Sequence, residues 1–512
     1  MALVERAWHR ASAATVLVRR APTAAKERLA HIPQLAPVTR ILPLLVLMSL
    51  YAARFSEVSV ASLRAFQQDA YDLSLYDQGI WLLSRFHAPF MTVMGTDMFA
   101  AHTVFVFLLL VPLFWVYPHT ALLLVLQAIA AAAGAIPVYL IARRLLERWW
   151  PALLLAAAYL LNPGLQQGNL EQFHVEAFEA PLLGFAIYAV LVWRPRLLAT
   201  MVALLLLCKQ DDALYVVPIG LWVLSRHHRK AGAAIITTAV AVASVENLVL
   251  IPALLNGVPT SYAGWWPFQS LSGTLRVLIR HPGQFLNFAT GQGRPFYVWQ
   301  MLFSGGLTAL AAPWVLLIAL PELAADALSS NPYLHQIDRH YAMPLAAVLA
   351  CAGVFGVARL PRARWRSVAT VVVAICALWS CVLWGAAPFS DNAPYVAATD
   401  TASVHAIDAL LARIPPDAVV SAGQNFVPNL DHRRQIYMFP TPFKQSYYGN
   451  PANDGKRLPF ASSVQYLVLP HCIYCDGNLG ESAQQVFNSI AAQFRVVGAA
   501  GGVVLYERAP PK

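Results

Sequence analysis

The chain has 512 residues, of which 58% are hydrophobic and only 12% are charged, with a formal net charge of +10. That balance places it among polytopic membrane proteins, and the length is too great for one simple bundle, so a second domain is expected. The basic excess gives no support to a nucleic-acid partner, because Lys and Arg gather in short clusters between apolar runs, as they do in cytoplasmic loops.

Residues 1–40 carry seven Lys/Arg against two acids. A targeting presequence can have this composition. A cytoplasmic basic tail fits better, because a long apolar run follows directly. The first span is expected near 41–60 and delivers an outer loop, 61–118. Within it, Tyr71-Asp-Leu-Ser-Leu-Tyr-Asp-Gln-Gly-Ile-Trp81 follows Asp69, so three carboxylates fall within nine residues. Carboxylates near lipid cost free energy, so this cluster reads as a site; an ordinary polar loop is the plain alternative.

Residues 103–117 are apolar but short and are interrupted by Pro112. Counting them as a crossing would put Arg143 and Arg144 outside, so they read as an interfacial or re-entrant element. Spans are expected at 119–142, 151–163 and 179–193, which expose Gln172-Phe-His-Val-Glu-Ala-Phe-Glu179 on the outer face. Residues 197–224 have basic flanks and Lys209-Gln-Asp-Asp212 in the middle. Each such charge at the midplane of a single helix costs about 2.5–3.5 kcal/mol. The stretch therefore reads as a hairpin of two short helices with Lys209–Asp212 at its outer tip. Further spans are expected at 231–252, as two short helices hinged near Pro313 within 295–328, at 343–358 and at 367–387. Thr274–Phe288 is an amphipathic outer stretch and Asn331–Tyr341 an outer loop. The sum is about eleven spans, with the N-terminus cytoplasmic and the C-terminus extracytoplasmic.

From residue 390 the periodicity changes. Thr401–Ile414 and Glu481–Gln493 read as helices. Ala418–Ala422, Gln435–Phe439, Val464–Leu469, Phe494–Val497 and Val503–Glu507 read as short strands. The organisation is thus a tail at 1–40, a helical membrane domain at 41–389, and a small extracytoplasmic α/β domain at 390–512. No Gly-rich phosphate fingerprint is present in that domain. Cys472-Ile-Tyr-Cys475 reads as a local disulfide or two free thiols, since a zinc site would need a second ligand pair.

In this topology the unusual polar residues meet on one side: Asp72 and Asp77, His102, His174 and Glu176, Lys209 and Asp211, then Arg339, His340 and Tyr341. A transporter would place such groups near the midplane. Groups at one water–lipid boundary suit an enzyme whose substrate has a lipid tail and a polar head. Lys209 or Arg339 would stabilise a departing phosphate. Plainer roles stay open: snorkelling for Lys209, and packing or capping for His174.

The motifs Tyr71–Trp81, His102 ahead of the Pro112 segment, Phe173-His174-x-Glu176, Lys209-x-Asp211, His281-Pro282 and His340-Tyr341-Ala-Met-Pro344 carry a resemblance. So do Ile414–Ala422 and Arg433–Pro440. Over roughly residues 60–470 the chain resembles an uncharacterised family of bacterial polytopic membrane proteins allied to the GT-C glycosyltransferases, which use polyprenyl-phosphate sugars. The resemblance implies a base in the first outer loop, with Asp72 the matching residue and Asp77 second. It implies an inverting transfer from a lipid-linked sugar, with a glycan or lipid as acceptor, in the bacterial plasma membrane. Two positions depart from the pattern. Gln172 and Gln210 stand where carboxylates are frequent, which puts metal use and substrate in question. No Asp-x-Asp pair is present, so a divalent metal stays open and no cofactor is certain. The alternatives are a lipid or sugar transporter or flippase, and a non-catalytic scaffold.

Overall fold

Proline sets many of the helix starts. Pro163, Pro195, Pro282 and Pro313 each occupy the first position of a helix, where the missing N–H is no loss and the fixed φ already suits the turn. The computed structural model describes residues 38–226, 228–255, 257, 264–477 and 479–510. The predicted tail falls outside them, apart from its last three residues, which begin the helix Val38–Arg64. From Leu47 onward the described residues form one compact unit.

Among the described residues, four helices are long and apolar enough to cross a membrane: Ile41–Arg64, Ala121–Leu146, Arg229–Leu255 and Ala363–Trp384. Shorter apolar helices accompany them, including Trp149–Leu160, Glu176–Val192 and Ala342–Ala358. The stretch expected to be a hairpin forms Pro195–Leu205 and Ala213–Ser225, with Lys209–Asp212 in the turn between them. The segment 103–117 is a 3-10 turn, Phe105–Leu109, followed by the short helix Val111–Val116. The break expected near Pro313 falls just before it, between Arg294–Phe303 and Pro313–Leu328.

Ala342–Ala358 is the central helix: 14 of its 17 residues are buried. Its composition is rich in Ala and Gly, and small residues let neighbouring backbones come close. At Gly356 a Cβ would collide with the Thr308 carbonyl. Burial on all sides fixes this helix, and its N-terminus presents Arg339, His340 and Tyr341.

Two residue pairs form a small ribbon, β1 (Phe90–Met91) and β2 (Thr96–Asp97). The C-terminal region folds as a five-stranded mixed sheet. Its strands are β3 (Val420–Ala422), β4 (Ile436–Met438), β5 (Tyr466–Pro470), β6 (Phe494–Ala500) and β7 (Val503–Arg508), in the order β4-β3-β5-β7-β6. β3 runs parallel to β4 and β5, while β7 is antiparallel to β5 and β6. Gly501 and Gly502 close the β6–β7 hairpin with φ of 56° and 82°, as a two-residue turn with two positive φ values requires. Thr401 caps the helix Ala402–Leu411 by accepting from the Val404 N–H, a standard helix-start interaction. Cys472 and Cys475 are joined as a disulfide.

The sheet is not an isolated body. Leu73, Tyr76 and Ile80 of the helix Leu73–Ser84 share one apolar core with Ile407, Val420 and Ala422. Polar stitches reinforce the contact: the Gln78 amide donates to the Arg433 carbonyl at 3.0 Å, and Thr92 Oγ1 donates to the Ile436 carbonyl at 2.7 Å.

Candidate active site

Asp72 precedes the helix Leu73–Ser84 with φ 53° and ψ −65°, and its carboxylate makes no capping hydrogen bond. A non-glycine residue in this region of φ/ψ space is held there by its surroundings, and such residues cluster at functional sites. With its own helix uncapped, the carboxylate is left for other partners. Its Oδ2 lies 3.9 Å from His174 Nε2, and its side chain is 40% exposed.

His174 belongs to the turn between the helices Pro163–Leu170 and Glu176–Val192. Gln127, buried in the helix Ala121–Ala133, braces that turn. Its Oε1 accepts from the His174 N–H at 2.6 Å, and its Nε2 donates to the carbonyls of Asn169 and Gln172 at 2.9 and 2.8 Å. The His174 ring stacks on His340, centroids 3.5 Å apart and planes 11° apart.

His340 and Arg339 arrive from the turn ahead of the central helix. Glu171 gathers them. Arg339 Nη1 donates to its Oε1 at 2.8 Å, and the His340 N–H donates to its Oε2 at 2.7 Å. The His340 ring Nδ1 lies 3.0 Å from that same oxygen. On its other edge, His340 Nε2 is 3.7 Å from Glu176 Oε1. Glu176 pairs with Lys209 Nζ at 2.9 Å, and Asp211 lies 3.5 Å from the same ammonium. Lys209 also sits over the Tyr341 ring, 5.6 Å from its centroid. The Gln210 amide nitrogen lies 3.1 Å from His102 Nδ1, and its oxygen accepts from the Thr103 N–H.

Nine of the ten residues singled out in the sequence therefore lie along one connected set of contacts. Asp77 does not. It is fully buried, accepts from Thr120 Oγ1 at 2.7 Å and pairs with His432 Nε2 at 2.9 Å. Its partners are different from those of Asp72.

The charges in the site are interdependent. Reduced hydration lifts the Asp72 carboxyl to about 6; His340 opposes the rise, while Glu171, Glu176 and Asp69 add to it. Burial alone would raise Glu171, but the hydrogen bond and charge of His340, with help from His174 and Arg339, hold it at about 2. Burial and the neighbouring His340 push His174 down to about 3. Burial also works against protonation of His340, yet Glu176, Glu171 and Asp72 raise its pKa. The two stacked rings are thus shifted in opposite directions: burial and His340 dominate at His174, while Glu176 and Glu171, 3.7 and 3.0 Å from the ring nitrogens, dominate at His340.

Lys209, His102, Asp211 and Tyr341 line one end of a cavity of about 570 Å³. Its other walls are mostly apolar and include Trp265 and Trp266, together with Glu322 and Asp326. Asp72 reaches this cavity through His174, His340, Glu176 and Lys209 in succession. Three acids of the site escaped the sequence reading. Glu171 directly precedes Gln172, the position noted for its missing carboxylate, and supplies a carboxylate one residue earlier. Glu322 and Asp326 are one turn apart in an otherwise apolar helix, a spacing that marks a shared face.

A family model described as "Predicted membrane protein (DUF2079)" matches residues 62–483. The chain belongs to that family. No curated protein matches its sequence significantly. Among solved structures, ArnT from Cupriavidus metallidurans bound to undecaprenyl phosphate superposes with a TM-score of 0.54 at 10% identity, over 93% of this chain and 100% of that one. The apo form of ArnT gives 0.47 at 12% identity, over 89% and 98%. The arabinofuranosyltransferase AftD from Mycobacteria gives 0.44 at 14% identity, over 90% of this chain and 40% of that one. The DUF2079 chain is mostly helical, with C-terminal strands, and shares its fold with ArnT.

Proposed function

We propose that this DUF2079 protein is a GT-C-type glycosyltransferase. It would move a sugar from a polyprenyl-phosphate carrier to an acceptor hydroxyl on a glycan or lipid at the extracytoplasmic face of a bacterial plasma membrane. The observation that supports this best is the continuous line of ionisable side chains from Asp72 through His174, His340 and Glu176 to Lys209, ending at a cavity with apolar walls. A lipid-tailed sugar phosphate has the matching division into apolar chain and charged head.

In this reading Asp72 removes the acceptor proton. A base with a pKa near 6 is ionised at neutral pH and basic enough to serve. The acceptor oxygen bonds to the anomeric carbon as the bond from that carbon to the phosphate oxygen breaks, and the configuration inverts. The departing phosphate takes the electron pair, and Lys209 and Arg339 offset its charge. Glu176, Asp211 and Glu171 hold those two cations in place, while His102, His174, His340 and Tyr341 line the head-group site. Asp77 has no part in the reaction so assigned. Glu171, His174 and His340 bring ligand atoms within 4.8 Å of one another. Glu171 already accepts from Arg339 and His340, so this trio orders the charges of the site.

In this reading the chain has about eleven spans, a cytoplasmic N-terminus and an extracytoplasmic domain at 390–512. Its support is the distribution of basic clusters such as Arg359/Arg362/Arg364/Arg366, which retain loops in the cytoplasm. The test is to incubate purified protein with a panel of polyprenyl-phosphate sugars. Carrier phosphate should be released by wild type and not by Asp72→Asn. Equal release by both removes Asp72 from its role. Flux in proteoliposomes without any release supports the transporter reading instead.

A further inference from the structure

Asp77 sits inside the contact between the helix Leu73–Ser84 and the C-terminal sheet. Asp431 and His432 meet it from the segment just ahead of β4. Ligand atoms of all three lie within 4.8 Å of one another. The two carboxylates are 0% and 1% exposed. One Asp77 oxygen is occupied by Thr120 and His432. The other, Asp77 Oδ1, and Asp431 Oδ2 are both buried, and the two carboxyl groups lie within hydrogen-bonding reach of each other, with Ser74 beside Asp431.

Two buried carboxylates side by side call for a compensating cation or a shared proton, and only a cation would also engage the His432 nitrogen beside them. Arg433 is adjacent in sequence but spends its guanidinium on the carbonyls of Leu430, Ala418 and Pro415. Among the described residues, no Lys or Arg pairs with either aspartate. His432 is the third member and the least enclosed, with its side chain 26% exposed. Its ring is held flat against Trp81, planes 13° apart, and also touches Phe114. That fixes the direction in which Nε2 points.

We propose that Asp77, Asp431 and His432 bind a divalent transition-metal ion, with Zn²⁺ the best fit. One imidazole nitrogen and two carboxylate oxygens form a donor set that zinc accepts, with a fourth position left for water. Solvent reaches it along the exposed edge of His432. The ion neutralises the two carboxylates and joins the helix Leu73–Ser84 to the sheet. It stands apart from the glycosyl-transfer proposal, and its test uses no substrate.

The protein is purified without a polyhistidine tag, stripped with chelator and titrated with Zn²⁺. Elemental analysis should find one tightly held zinc per chain, and the thermal midpoint should rise on loading. His432→Gln, at the partly exposed ligand, should fold and hold zinc roughly tenfold or more weakly. Glu171→Gln, in the other trio able to hold a metal, should bind zinc as wild type does. Stripped wild type that takes up no stoichiometric zinc overturns the proposal, as does full affinity in His432→Gln. An unchanged midpoint on loading points to a proton shared between the two aspartates and equally counts against it.

Discussion

At the scale of single residues, Asp72 sets activity against stability. Its pKa is raised in the folded protein, so folding disfavours its ionised form. That penalty is absent below the ordinary aspartate pKa of about 3.9 and grows as pH rises through about 6. Asp72→Asn should therefore abolish transfer yet raise the thermal midpoint at pH 8, with the gain vanishing near pH 4. Melting curves across that range check the sign. The same ionisation predicts a kcat/KM profile that falls on the acid side of about pH 6. Glu171 has the opposite sign. Its depressed pKa contributes stability present above about 4.5 and lost as pH falls through about 2. Glu171→Gln should cost about 1–3 kcal/mol, because it weakens charged hydrogen bonds to Arg339 and His340. A chemical or thermal melt in detergent measures it. Asp72 and His174 were legible in the sequence as polar residues out of place in an apolar chain. Glu171 was not, because its value depends on a turn that brings residue 171 against residues 339 and 340, far away in sequence.

At the scale of elements, positioning is done by helices whose own residues carry no charge. Gln127 fixes three backbone groups of the His174 turn. Gln127→Leu leaves them unpaired, at a cost of about 1–3 kcal/mol, and transfer should suffer even where the protein still folds. The central helix depends on close approach at Gly356. Gly356→Ala forces a Cβ onto the Thr308 backbone and should destabilise by about 1–3 kcal/mol. Gly283→Ala, with open space around it, is the control and should be neutral or slightly stabilising, since alanine favours helix more than glycine does. Helix and strand positions at 401–508 could be read from local pattern alone, since turn residues bound each short run. The break before Pro313 was legible for the same reason. That Ala342–Ala358 would be central was not, because its uniform apolar composition fits any depth in a bundle.

At the scale of the whole molecule, the chain joins residues from five separate segments, between 72 and 341, in one set of contacts that runs from Asp72 to the Lys209 end of the cavity. Sequence alone could sort those residues by expected side, since basic clusters and apolar spans alternate. It could not show that the sheet's core would continue into the helix that begins beside Asp72, because that contact joins residues more than 300 positions apart. The account stands on the carrier's phosphate and the catalytic carboxylate sharing one site. The most direct measurement is a cryo-EM map of the protein with a polyprenyl phosphate bound. The account predicts phosphate density at the Lys209 end of the cavity, with the chain running along its apolar walls past Trp265 and Trp266. Phosphate density away from Lys209, or a lipid path that leaves this cavity empty, contradicts it.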